Sequence, residues 1–313
     1  MCFSRLYKRP FLVYNDPEIL PGCDIMTQSE QKSRLMLIGS MAIFGTIGIL
    51  RKYIPLPSSL IALVRAVVGT LFLLMVLLLK HRKPDTAALK QNWGFLLLSG
   101  CALGFNWILL FESYNHTSVA TATLCYYLAP ILVILASPFL LRETLTVKKI
   151  LCTGVALVGM VLVSGITDTG FRGVAEMKGI LFGLGAALLY ACVILLNKKI
   201  TGIDAHNKTI FQLAVSSVTL LPYVLLTEDV GSMVFPPVVI LLLMTAGIIH
   251  TGLAYWLYFG SMSGLKGQTV ALFSYIDPIL AIVLSMVVLR EPMSLSAAIG
   301  AVMILGAAFV SER

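Results

Sequence analysis

The 313-residue chain is 58% hydrophobic and only 12% charged, whereas a soluble domain carries roughly 25% charged residues. This excludes the pair of soluble domains that the length alone would allow. The net charge of +8 sits in short clusters such as Lys80-His81-Arg82-Lys83 between long apolar stretches, so it is not read as a nucleic-acid-binding surface.

Residues 1–25 are polar, contain Pro10, Pro17 and Pro21, and hold no apolar run long enough for a signal peptide. They read as an extension upstream of a start at Met26, and residues 1–34 as a polar N-terminal tail. Apolar segments then follow at roughly 35–50, 58–79, 93–114, 118–140, 147–166, 178–197, 209–227, 237–262, 267–289 and 294–311. About 20 residues of helix cross the roughly 30 Å hydrocarbon layer. Strands of about ten alternating residues, the mark of a membrane barrel, do not occur. The expected fold is an all-α membrane protein of ten transmembrane helices, with connections too short to hold a soluble domain.

Lys and Arg in the loops set the orientation. With a cytoplasmic N-terminus, fourteen of them from Met26 onward fall on the cytoplasmic side. Five, Arg51, Lys52, Arg172, Lys178 and Arg290, fall on the other. Both termini are therefore expected in the cytoplasm. Cys101, Cys125, Cys152 and Cys192 lie within apolar segments and read as buried thiols. Two glycosylation-like tripeptides, beginning at Asn115 and Asn207, read as chance matches.

Shifting the chain by 148 residues aligns residues 104–143 with 252–291 without a gap, and fifteen of the forty pairs are identical. Shared Leu and Ile are expected between apolar segments. Tyr127/Tyr275, Pro130/Pro278 and Leu141-Arg142-Glu143/Leu289-Arg290-Glu291 in one register are not. The unit holds five segments, an odd number, so the second copy, 178–311, enters the membrane from the opposite face to the first, 35–166. Inverted repeats of this kind are a common frame for secondary transporters, with the substrate near the midplane between the halves.

The chain from about Met26 resembles the EamA type of the drug/metabolite transporter superfamily. The likeness rests on the duplicated Leu-Arg-Glu triplets, the mid-helix Pro130 and Pro278, and Arg65 early in the second segment. Members often carry a tryptophan in the first and sixth segments, where Phe44-Gly45-Thr46 and Leu189-Tyr190-Ala191 stand here. The resemblance implies a secondary carrier, often an exporter of amino acids or other small metabolites, in a bacterial inner membrane.

Ionisable groups at membrane depth cost roughly 2.5–3.5 kcal/mol on insertion scales and need a reason. Asp277 lies near the midplane, opposite Ala129 of the first repeat; it suits proton coupling or an ammonium group, or else caps backbone freed by Pro278. Arg65 suits a substrate carboxylate or a pair with a carboxylate of the transporter itself, or else snorkels to the nearer interface. Glu112 is a gate or an interfacial group, and His250 a titrating group or a hydrogen-bonded helix contact. Trp107, Tyr127, Tyr255 and Tyr275, paired by the repeat, are expected to line a cavity. Glu143 and Glu291 read as turn-and-cap residues, and the spacings Gly100/Gly104, Gly179/Gly183 and Gly260/Gly264 as close helix packing.

No phosphate-binding loop, His-Glu-x-x-His or Gly-x-Ser-x-Gly motif occurs. The expectation is a secondary carrier for a small molecule, working by alternating access, without cofactor or metal and with protons as a candidate coupling ion. The alternatives are an uncoupled facilitative or exchange carrier and, in another class, a membrane-embedded lipid enzyme or scaffold.

Overall fold

The structure, a computed structural model, describes residues 28–81, 86–140, 146–163, 174–262, 265, 270 and 273–312. Residues 1–27 of the N-terminal tail and Glu143 lie outside the described residues; residues 28–34, read from sequence as the end of that tail, instead form the first turns of a helix. Among these residues the chain is helical without strands: α1 (Gln28–Gly45), α2 (Ile47–Lys52), α3 (Ser58–Leu79), α4 (Thr86–Gln91), α5 (Trp93–His116), α6 (Val119–Tyr126), α7 (Ala129–Leu140), α8 (Val147–Val163), α9 (Val174–Asn197) and α10 (Ala205–Thr227). Then come α11 (Pro237–Gly247), a π-helical turn (Ile248–Leu253), α12 (Ala254–Met262), α13 (Ile276–Val287) and α14 (Leu295–Glu312). Among the described residues seven stretches are long and apolar enough to cross a membrane, and three shorter apolar helices accompany them, at Ile150–Val163, Ile276–Val287 and Leu295–Val310.

The sequence reading treats each apolar segment as one helix, but three are interrupted. The first breaks at Thr46, whose hydroxyl donates back to Ile43 O at 2.7 Å. The fourth breaks at Tyr127-Leu128 and the ninth at Tyr275, positions matched by the repeat. Proline supplies the cause: Pro130 and Pro278 carry no N–H and crowd the carbonyl four residues earlier. The carbonyl so freed in the second case, that of Ser274, accepts from the Tyr127 hydroxyl at 3.4 Å.

Polarity is arranged for a lipid solvent. Leu71, Leu226, Val158 and Val302 are exposed on the outside, while many polar groups pair inside, as a medium without water favours. Gln212 Nε2 donates to Ser99 Oγ at 2.6 Å and to Asn197 Oδ1 at 2.7 Å, tying α10 to α5 and α9. Along the α5–α9 contact, Asn106 donates to Ala186 O at 2.5 Å and Ser113 to Gly179 O at 2.7 Å. Gly100 and Gly179 sit at such crossings, against Val215 and Thr117 respectively, as the small-residue spacing leads one to expect; Gly264 lies outside the described residues. Helices α8 and α14 pack on one another, with Gly159 against Gly300.

Helix ends are capped locally. Ser118 Oγ accepts from Thr121 N at 3.0 Å, and Asp204 Oδ1 accepts from His206 N and Asn207 N at 3.0 and 3.1 Å. Partial burial works against the Asp204 carboxylate. Bonds from the Asn207 side chain and the two amides outweigh it, and together with nearby His206 they hold the group below the ordinary carboxylate range.

Candidate functional site

A cavity of about 260 Å³ lies where the interrupted helices meet. Six of the eight candidates named from sequence line it: Arg65 on α3, Trp107 on α5, Tyr127 at the α6–α7 break, Tyr255 on α12, Tyr275 at the break before α13, and Asp277 in the first turn of α13. Phe44, Tyr114, Tyr126, Tyr190 and Tyr258 complete an aromatic wall. Rings pack on rings there, with Tyr126 stacked on Tyr190 at 5.1 Å and Phe44 edge-on to Tyr255 at 5.3 Å. These contacts fix the wall's shape and leave ring faces and hydroxyls to meet a guest.

Arg65 does not snorkel. Its residue is 4% exposed and its guanidinium lies 4.2 Å over the Trp107 ring. Nε donates to Thr251 Oγ1 at 2.7 Å and Nη2 to His250 O at 3.4 Å. Among the described residues Asp277 caps no freed backbone; its Oδ2 accepts from the Tyr127 hydroxyl at 2.9 Å. Arg65 and Asp277 form no ion pair with each other, so the cavity presents a guanidinium and a carboxyl group to a common space.

Two candidates fall elsewhere. His250 is buried in the π-helical turn, with Nδ1 3.3 Å from Thr245 O and Nε2 2.8 Å from the Thr46 hydroxyl. It bridges the π-helical turn to the break at Thr46 and stands outside the cavity lining. Glu112 stands at the far end of α5 beside Asn115 at 3.4 Å and His116 at 3.7 Å, away from the cavity lining.

Glu291 does more than end its own helix. Arg290 adopts φ +55°, and Glu291 N then donates to Ser285 O at 3.1 Å. Its carboxylate accepts from Ser285 Oγ at 2.5 Å and from Val119 N, the first residue of α6, at 2.8 Å. Lys52 at the end of α2 pairs with it at 3.3 Å and also donates to Thr117 O at 3.3 Å. One carboxylate thus ties α2, α6 and α13 together. The turn-and-cap role expected of Glu291 is local, whereas these partners, Val119 and Lys52, are 172 and 239 residues away in sequence.

Phe44 and Tyr190 stand where the resembled family often has tryptophan, which was the available signal for their place in the wall. Thr46 and Thr251 gave none, since a single threonine in an apolar segment looks like any other.

With this geometry in view, the chain proves similar to known proteins. It matches the EamA-like transporter family twice, over residues 31–165 and 177–312. It is 32% identical to an uncharacterized transporter, YxxF, of Bacillus subtilis over 287 residues, 90% of either chain. An uncharacterized transporter of Archaeoglobus fulgidus is 30% identical over 203 residues, 64% of this chain and 69% of that one. Protein PecM of Dickeya dadantii is 23% identical over 261 residues, 81% and 82% of the two chains. A solved crystal structure shares the fold with a TM-score of 0.64 at 20% identity, covering 89% of this chain and 96% of its own. The chain is a multi-pass membrane transporter. It belongs to the EamA-like transporter family.

Proposed function

We propose that this transporter is a secondary active carrier exporting amino acids or similar small metabolites across the cell inner membrane by alternating access. In this reading its ten spans form two inverted five-helix repeats, 35–166 and 178–311, with both termini cytoplasmic. The observation that carries the proposal is the cavity in which Arg65 and Asp277 face one aromatic-walled space without pairing. A zwitterion satisfies both charges: a carboxylate at the free edge of the guanidinium, an ammonium at Asp277 within reach of tyrosine faces. A cavity of about 260 Å³ is the size of a small metabolite.

Alternating access requires a closed side, and in this reading the Glu291 junction is the candidate closure. It joins the ends of α2 and α13 to the start of α6 on the face where the loop charges place the outside. Asp277 is the candidate coupling group: a proton and a substrate ammonium would compete for one carboxylate, which makes export of one depend on entry of the other.

Proteoliposomes with an imposed pH gradient test the coupling, using a panel of labelled neutral amino acids as probes. The expected result is flux that follows the gradient in the wild type and loses that dependence in Asp277→Asn. Flux indifferent to the gradient in both proteins would establish an uncoupled facilitative or exchange carrier instead.

A further inference from the structure

We infer that Thr251, turned inward by the π-helical segment, is the positioning residue for Arg65. The inference rests on the reading above that Arg65 faces the substrate. In a regular helix a threonine hydroxyl bonds back to the carbonyl four residues earlier. Here Thr251 Oγ1 donates to Ala246 O, five residues earlier, at 2.9 Å. That spacing exists because Ile248–Leu253 is wound as a π-helix, with one extra residue in the turn.

With its own proton committed to Ala246, the Thr251 oxygen is an acceptor for Arg65 Nε at 2.7 Å. The next carbonyl, His250 O, takes Nη2 at 3.4 Å. Both contacts approach one side of the guanidinium. Among the described residues Nη1 has no hydrogen-bond partner, and Arg65 lines the cavity. The ring below, Trp107 at 4.2 Å, fixes the plane of the group but not its rotation within that plane. Thr251 fixes the rotation.

The same turn has a second effect. One inserted residue rotates everything after it by about 100° relative to a regular helix, and the residues that follow include Tyr255 and Tyr258 of the cavity wall. Two close approaches hold the turn in place against α3. Gly69 lies against the Thr251 methyl, and Gly247 against Val68. The π turn, its threonine and the arginine are therefore one assembly that delivers an oriented cation to the cavity.

The hydroxyl and the methyl of Thr251 have separable jobs, which makes the inference testable without knowing the substrate. Valine keeps the shape against Gly69 and removes the hydroxyl; serine does the reverse. The readout is Trp107 emission in a protein carrying Trp93→Phe and Trp256→Phe, with Trp107 as its only tryptophan. In that background Thr251→Val is expected to shift the emission maximum in the same direction as Arg65→Ala, and Thr251→Ser to leave it unchanged. Thr251→Ala, which leaves room for water at Ala246 O, is the second hydroxyl-free variant and should behave as valine does.

A Thr251→Ser protein with altered emission beside a silent Thr251→Val would overturn the inference and assign the residue to packing alone. Flux of the neutral amino acid probes adds an independent arm. Thr251→Val should raise the apparent KM about tenfold with maximal rate nearly kept, the pattern of a lost ground-state contact. A shifted emission with no amino acid flux in any protein would keep the positioning role and discard the substrate reading.

Discussion

A guanidinium at membrane depth carries a cost of roughly 2.5–3.5 kcal/mol on insertion scales. At Arg65 that cost is offset by two hydrogen bonds and a stack on Trp107, contacts that suit the planar fork of arginine and not the point charge of lysine. Arg65→Lys should therefore behave as a loss. The stack that orients the cation is worth about 0.5–2 kcal/mol, so the apparent affinity for the neutral amino acid probe should fall by about two- to thirtyfold. Equal affinity in the two proteins, read from the concentration dependence of flux, would argue that the cation does not touch substrate. Asp277 was legible in the sequence because the repeat offered Ala129 for comparison, and Arg65 because an apolar segment advertises any charge. Thr251 was not, because its importance comes from a π turn that no residue spacing announces.

At the scale of elements, the working parts are interruptions. The proline pair marked two of them in the sequence, at Tyr127 and Tyr275, since a missing N–H has the same consequence in either repeat. The break at Thr46 left no such mark. It brings the chain close to the second interruption: a Cβ on Gly45 would lie 2.8 Å from Asp277 O. Gly45→Ala must push the start of α13 aside, an overpacking cost of about 1–3 kcal/mol, and flux should drop while the protein still purifies as a folded species. Unchanged flux would mean that the Asp277 backbone is not held where the cavity needs it.

The Glu291 junction offers a second prediction at this scale. Glu291→Ala removes a cap worth about 0.5–2 kcal/mol and frees Lys52, so α6 should part from α13 more often. In a background without native cysteines, Thr123→Cys on the cavity wall should then react faster with an impermeant thiol reagent added outside. A rate matching that of the parent would remove the junction as a closure. The Asp204 cap is different in kind. Because its folded-state titration is depressed, its contribution is present above the ordinary carboxylate range and lost only as the pH falls through the lower folded value. Flux measured across neutral pH should accordingly show no step from this group.

The whole molecule follows from putting polar groups inside and leaving Leu and Val to the lipid. That much was legible from composition, and the family match over residues 31–165 and 177–312 agrees with a membrane transporter. What sequence could not supply was which polar residues share a space. Six candidates scattered from residue 65 to 277 converge on one cavity, while His250 and Glu112, equally plausible by hydropathy, do not. Depth in a membrane is readable from position along a helix; facing is set by breaks and π turns that rotate one end against the other. The most direct measurement of the proposed function is solute counterflow in proteoliposomes preloaded with a neutral amino acid, comparing wild type with Arg65→Ala and Asp277→Ala at matched reconstitution. Transient accumulation of labelled amino acid by the wild type and its loss in both variants is the predicted result. Accumulation by both variants at the wild-type rate would contradict a cavity that works through these two charges.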